Sequence, residues 1–236
     1  MAMLQTGPAQ ALLRLPFLHG APPDAVERFA ARARWIDAAP GQAVLDHEDA
    51  STEVYFVVQG EVRVLVRTAD GQHARILGEF AAGEIVGEMA AIDAAPRSAR
   101  VEALVRTRLC AAPASAFLDL VFSSREVGLR LMGLLTRRIR AQTRLLLEDA
   151  SLPVRLRLAA ELLRLARDRP DGACAVSPPP TGEVLGERIG ARREAVSREL
   201  ARFCRAGLVR RTRGALVLPD PAALQALVEA GLAETG

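Results

Sequence analysis

The hydrophobic period of this chain changes along its length, and the change limits the folds open to it. Between residues 54 and 66 the apolar residues first run unbroken, as Val54-Tyr55-Phe56-Val57-Val58, and then alternate. Val62, Val64 and Val66 are set against Arg63 and Arg67. A short unbroken run fits a buried strand, and alternation fits a strand with one wet face. Further on, Met132, Leu135, Ile139, Gln142 and Leu146 are spaced by three, four, three and four residues. That spacing is the a/d seam of a long helix. Strands first and helices afterwards predict an α+β chain.

The punctuation refines this. Residues 11–35 read as one or two helices, with Pro22-Pro23-Asp24 as a start and Ala25, Phe29, Ala30 and Ala33 as a stripe. From Gly41 to about Ala112 the pattern is β. Gln59-Gly60 and Asp70-Gly71 are turns, and Ala74–Phe80 and Ala99–Cys110 supply further strands. Short strands with frequent turns predict an antiparallel sandwich or roll. Ala114 to Ala150 reads as one long helix. Its seam calls for a cover, either a second copy of the chain or its own domain. Ser151-Leu152-Pro153 ends it, with Pro153 suited to the first turn of the next helix and Ser151 or a neighbour able to cap. Asp149–Pro153 is therefore the expected hinge. Val154 to Arg167 reads as another amphipathic helix, followed by a loop or short hairpin marked by Asp171-Gly172 and Pro178-Pro179-Pro180. The expected domains are 1–113, 114–150 and 151–236.

Charge is distributed unevenly. All 31 basic residues are arginine. Residues 1–150 hold 17 Arg and 18 acids, a net charge of −1, whereas residues 151–236 hold 14 Arg and 10 acids, a net charge of +4. Nine Arg and two acids lie between Arg188 and Arg213. Such a concentration fits a phosphate-backbone binder, and equally a solvated basic face. The sequence has no apolar run of about 18 residues, so no membrane span is expected. It has no basic start with an apolar core, so no secretory signal is expected. Cys110, Cys174 and Cys204 are odd in number and scattered, which predicts a cytoplasmic chain without a disulfide framework or an iron–sulfur cluster. His19, His47 and His73 show no ligand spacing, and no nucleophile–base constellation stands out. Neither a metal site nor an enzyme is expected.

Two stretches carry the chemistry. The first is Gly83-Glu84-Ile85-Val86-Gly87-Glu88-Met89, followed by Pro96-Arg97-Ser98-Ala99. Gly87 permits close backbone approach, and Glu88-Met89-Ala90-Ala91 can open a short helix with its amides toward an anion. Arg97 offers a bidentate fork for phosphate oxygens, Ser98 a further donor, and Glu88 an acceptor for a ribose hydroxyl. Together they suit a cyclic phosphate diester. The second stretch runs from Leu185 to Leu200. Val184–Ile189 reads as a first helix, Gly190 as the tight turn, and Arg192–Phe203 as a second helix with Ala195, Val196, Leu200 and Phe203 inward. Arg192, Arg193, Glu194, Ser197 and Arg198 then lie at its N-terminal, outward side, where such a helix meets base edges. Arginine suits guanine, and glutamate can accept from cytosine N4. Arg210-Arg211-Thr212-Arg213-Gly214 reads as a basic β-wing, with Arg211 and Arg213 as DNA-binding candidates.

The ordered pair of motifs resembles the Crp/Fnr regulators, close to the catabolite activator type, from about Leu15 to Asp220. The resemblance implies an N-terminal cyclic-nucleotide-binding β-roll, a long dimerisation helix and a C-terminal winged helix-turn-helix. It implies that Gly87, Glu88, Arg97 and Ser98 hold ribose and cyclic phosphate, with Met89 and Ala90 beside them. It places Gln142 and Thr143 of the long helix near the base, and Arg138 on the same helix completes the candidate set. Gln142 reads equally as a register-setting polar residue in the seam. Arg193, Glu194 and Arg198 match the family's recognition pattern, which implies a palindromic TGTGA-like site, and Thr181 falls where the family has a phosphate-contacting threonine. The implied partners are double-stranded DNA, a cyclic nucleotide with cAMP as the expected effector, a second copy of the chain, and RNA polymerase. Alternatives are cGMP, a cyclic dinucleotide or no effector, or a regulatory subunit acting on a protein. One departure is His47-Glu48-Asp49, where family members often carry a Gly-Asp turn.

Overall fold

A computed structural model describes residues 8–67, 74–169 and 172–233. The Asp70-Gly71 turn, His73 and Asp171 lie outside the described residues. The chain forms two compact units. One holds the described residues through Val66 together with Ile76–Ile139, and the other holds Arg67, Ala74 and Arg75 with the described residues from Arg140 onward.

In chain order the elements up to the long helix are α1 (Pro8–Leu13), a 3-10 turn (Pro16–Leu18), α2 (Pro23–Arg32), β1 (Arg34–Ala38), β2 (Ala43–Leu45), β3 (Val54–Gln59), β4 (Glu61–Arg67), β5 (Ala74–Ala81), β6 (Ile85–Val86), α3 (Glu88–Asp93), β7 (Arg100–Ala103), β8 (Thr107–Ala112), α4 (Ala114–Val121) and α5 (Arg125–Ser151). Two four-stranded sheets form, ordered β1-β8-β3-β6 and β2-β7-β4-β5. Strand β3 shows why its apolar run is unbroken. Val54 and Phe56 face a core shared with the helices, where Phe17, Phe29 and Phe117 surround Phe56 at ring-centroid distances of 5.7, 5.2 and 6.3 Å. Tyr55 and Val57 face a second core with Val62, Val86, Val101 and Leu109. Burying a side chain such as Phe56 contributes about 2–3 kcal/mol.

Three local expectations change. The helical stretch expected to residue 35 ends at Arg32, and Arg34–Ala38 pairs with β8 instead. In β4, Leu65 is buried beside Val62 while Val64 and Val66 are half-buried, so the strand does not follow the expected alternation. The single helix expected over 114–150 is broken between Val121 and Arg125. Ser123 Oγ donates to the Leu120 carbonyl at 2.7 Å, and Ser124 Oγ accepts from the Val127 amide at 3.2 Å. Each serine offers the backbone a partner in place of a helical one.

The second unit continues with α6 (Val154–Leu165), β9 (Arg167–Asp168), β10 (Cys174–Val176), α7 (Gly182–Ile189), α8 (Arg193–Arg205), β11 (Arg210–Arg211), β12 (Leu216–Leu218) and α9 (Pro221–Ala233). Its sheet is ordered β11-β12-β10-β9. Leu158, Leu162, Leu185, Ile189, Val196, Leu200, Phe203, Leu224 and Val228 form its core. Pro153 caps α6 from outside rather than standing in its first turn, and Ser151 is the last residue of α5. Of the loop and the hairpin that the sequence left open after α6, the strands β9 and β10 make the hairpin. The architecture is α+β: a strand-rich N-terminal domain, a long helix and a C-terminal winged helix-turn-helix.

Candidate nucleotide cradle and nucleic-acid interface

The cradle begins where β6 leaves its pairing with β3 at Tyr55↔Val86 and Phe56↔Ile85. Gly87 turns the chain at a φ of 82°, in the left-handed region that favours glycine, and α3 starts at the next residue. A Cβ there would lie 2.8 Å from Arg97 Nη1 and 2.9 Å from the Glu53 carbonyl oxygen, so no larger residue fits without a shift.

Arg97 is 3% exposed. Its amide donates to the Asp49 carbonyl and its carbonyl accepts from the Glu48 amide, both at 2.9 Å, which fixes its backbone to the His47-Glu48-Asp49 stretch. Its guanidinium donates to the Gly87 carbonyl at 2.9 Å, the Glu53 carbonyl at 2.7 Å and Ser51 Oγ at 3.1 Å. Burial pushes Arg97 below the usual arginine range, opposed by the charges of Tyr55, Asp49, Glu53 and Glu88. Arg34 grips the Glu53 carboxylate at 3.1 and 2.6 Å and holds it below the usual carboxylate range despite burial.

Glu88 is buried. Arg138 of α5 donates to its Oε1 at 2.6 Å and to the Ile85 carbonyl at 2.6 Å, and its guanidinium lies 4.4 Å from the centre of the Phe80 ring. The long helix is thus tied to the start of α3. Ala90 is buried and Met89 exposed. Ser98 is exposed, with its Oγ 3.8 Å from Met89 Sδ. The structure therefore brings together Gly87, Glu88, Met89, Ala90, Arg97, Ser98 and Arg138. Gln142, half-buried, and Thr143, exposed, follow four and five residues after Arg138 on α5, in its stretch within the second unit. Sequence reasoning missed Ser51, Glu53 and Phe80 as supports, since isolated polar residues ahead of β3 and a lone aromatic on β5 carry no local signal. On α5 itself, Met132, Ile139 and Leu146 of the seam are 60, 67 and 69% exposed.

The second constellation starts at Thr181, which caps α7 by accepting from the Val184 amide at 3.2 Å. Gly190 closes α7 in the left-handed conformation, at a φ of 60°, and turns the chain into α8. Val196, Leu200 and Phe203 face inward as expected, Ala195 is only half-buried, and Glu199 joins the buried face with Arg202 on its carboxylate at 2.8 Å. Arg192, Arg193, Glu194, Ser197 and Arg198 are all exposed along the first turns of α8. The turn between β11 and β12 closes through the Thr212 amide to the Ala215 carbonyl at 2.9 Å, with Arg211 and Arg213 exposed on it. A groove of about 320 Å³ separates α8 from this wing, lined by Arg193, Ser197, Arg211 and Thr212 over a floor of Val196 and Leu200. Among the described residues no cluster of His, Cys, Asp or Glu is placed to hold a metal ion, and no helix is long and apolar enough to cross a membrane.

Comparison with known proteins matches the same two regions. Residues 36–124 match the cyclic nucleotide-binding domain family, and residues 156–227 match the Crp-like helix-turn-helix domain family. The chain is 30% identical over 211 residues to the cyclic AMP receptor protein of Thermus thermophilus, covering 89% of this chain and 95% of that protein. It is 24% identical over 212 residues to a CRP-like cAMP-activated global transcriptional regulator of Mycobacterium tuberculosis, covering 89% and 94%. In fold it is similar to the c-di-GMP-responsive global regulator CLP of Xanthomonas campestris, with a TM-score of 0.72 at 22% identity, covering 84% and 99% of the two chains.

Proposed function

The chain belongs to the Crp/Fnr family of transcription regulators, which are not enzymes, and we propose that it is a homodimeric, cytoplasmic regulator switched by cAMP at a palindromic TGTGA-like site. The observation that carries the reading is the tie from Arg138 of the long helix to Glu88 at the start of α3, beside the buried Arg97. A ligand held by Gly87, Glu88, Met89, Ala90, Arg97 and Ser98 alters the surroundings of Arg138, and through it the helix that leads to the DNA reader. Gln142 and Thr143 read the base. Ligand binding shifts the population toward the DNA-competent state only by as much as it prefers that state, and a roughly 100-fold preference corresponds to about 2.7 kcal/mol.

The exposed Met132, Ile139 and Leu146 support a homodimer, because a helix seam this apolar is covered by a copy of itself in a two-stranded coil. The exposure of Arg193, Glu194 and Arg198 supports base readout by α8, with Thr181, Arg192, Ser197, Arg211 and Arg213 near the backbone. RNA polymerase is the further partner such a regulator engages. The domains are the β-roll through residue 113, a dimerisation segment 114–150 whose long helix is α5, and the DNA-binding domain from 151.

Calorimetry with a panel of cyclic nucleotides on wild type and Arg97→Ala tests the effector. cAMP binds wild type and loses at least about tenfold in the variant, the scale of one charge-assisted hydrogen bond. Absence of binding by any cyclic mononucleotide refutes the cradle. Gel shift on a TGTGA palindrome with and without cAMP tests the output. Arg193→Ala costs about 1–3 kcal/mol of DNA affinity there, and unchanged affinity refutes base readout by α8.

One observation favours a second reading. Arg97 already donates to Gly87, Glu53 and Ser51, and Glu88 is already paired with Arg138. A cradle so satisfied by its own protein suits a relative that answers another effector, such as a cyclic dinucleotide, or none. Cyclic dinucleotides in the same calorimetric panel, and DNA binding without any nucleotide, decide between the two.

A further inference from the structure

The residues expected to form the hinge are bound into a network of ion pairs. Glu148, in the last turns of α5, is 6% exposed, and its two carboxylate oxygens accept from Arg164 of α6 at 2.7 and 2.9 Å. Arg164 Nε donates to Glu161 Oε2 at 2.8 Å. Glu161 is 4% exposed, and its other oxygen accepts from Arg188 of α7 at 3.1 Å. The charges alternate and cancel along Glu148, Arg164, Glu161 and Arg188. The next residue of α5, Asp149, accepts from Arg157 of α6 and from Arg75, each at 2.9 Å.

A lone backbone crossing at residues 151–153 would let α5 swivel about a few dihedral angles. Side-chain anchors at Glu148 and Asp149, on the far side of that crossing, oppose this swivel. Arg157, Glu161 and Arg164 lie at spacings of four and three, which puts them on one face of α6. That face therefore grips α5 at one end of the network and α7, the first helix of the helix-turn-helix, at the other. Moving either end strands a nearly buried carboxylate, which is strongly unfavourable.

We propose that Glu161 is a positioning residue that locks the last turns of α5 to α7, so that the DNA reader turns at residues 148–153 only when these ion pairs break. Glu161 touches neither the cradle nor the exposed face of α8. Its two oxygens hold two arginines from different helices, and it acts through them. The consequence for regulation rests on the DNA-binding reading, but the lock itself does not.

Hydrogen exchange of the full chain, read by mass spectrometry without effector or DNA, tests it. Arg188 lies 40 residues beyond Glu148 in sequence and is joined to it by the ion pairs through Glu161 and Arg164. Arg188→Met keeps the aliphatic stem and removes the charge. Exchange at residues 148–156, which include the Leu152 amide bonded to the Glu148 carbonyl, then rises about tenfold, as expected for sub-global opening once a buried pair is lost. Arg188→Lys, which retains a cation, restores most of the protection. Faster exchange confined to α7 in Arg188→Met overturns the proposal. Should that variant fail to fold, Glu161→Gln takes its place: faster exchange both at 148–156 and in α7 supports the lock, and faster exchange within α6 alone overturns it. Since neither ligand is present, failure here leaves the proposed function standing, and failure of that function leaves this result untouched.

Discussion

Replacing Arg138 by methionine isolates the contribution of its charge to the cradle. The substitution keeps an unbranched side chain against Phe80 and removes the donors to Glu88 and to the Ile85 carbonyl. Glu88 is 2% exposed, so its carboxylate is left buried without its partner. Breaking such a pair costs about 3–5 kcal/mol. The Arg138 side chain is 24% exposed, which lets water reach the vacated space and favours the lower end. Losing the cation over the Phe80 ring adds about 0.5–1 kcal/mol, and the two losses overlap, so about 3 kcal/mol is expected in all. Trp35 is the chain's one tryptophan and stands in β1 of the same unit, so its fluorescence during urea unfolding reports on that unit. With a slope near 2 kcal/mol per molar urea, the midpoint falls by about 1.5 M. The double variant Glu88→Gln/Arg138→Met removes both charges and recovers at least half of the loss. A loss below about 1 kcal/mol in the single variant, or a double variant no more stable than the single, would refute the reasoning.

Two further outcomes follow from the same unit. Gly87→Ala places a Cβ in a left-handed position against the Glu53 carbonyl and Arg97, and about 2–4 kcal/mol of stability is lost by the same fluorescence measurement. A change within about 0.5 kcal/mol would show that the turn tolerates a side chain. Burial pushes the Cys110 thiol from 9.0 up to about 12, so the folded state holds it protonated while the unfolded chain ionises earlier. Its contribution to stability is complete below pH 9, is lost as pH rises toward 12, and leaves the thiol unreactive to an alkylating reagent at pH 8 until the unit unfolds. Rapid labelling of Cys110 in the native protein contradicts this.

The sequence was most legible where one residue's neighbours along the chain settle its state. Val54–Val58 is unbroken because both faces of β3 meet a core, and Val196, Leu200 and Phe203 mark the buried face of α8 opposite the exposed Arg193, Glu194, Ser197 and Arg198. It was least legible where a distant partner decides. Arg34–Ala38 has only five residues and half-buried faces, and β8 alone makes it a strand. Ser123 and Ser124, followed by Glu126 in the first turn of α5, are a readable capping signal for the break between α4 and α5, hidden by the apolar residues on either side. At the cradle the glycine and Arg-Ser pattern identified the residues that the fold assembles. The Arg97 partners Ser51 and Glu53, by contrast, sit 46 and 44 residues away in sequence and could not be read from spacing.

The exposed stripe on α5 sets how such a regulator would respond to its own supply. If Met132, Ile139 and Leu146 are covered only by a second copy, the DNA site counts pairs rather than chains. At concentrations below the pairing constant, halving the chains leaves a quarter of the pairs. Occupancy of the operator then falls more steeply than synthesis does, and growth or dilution can silence the genes it controls with the effector still at full strength.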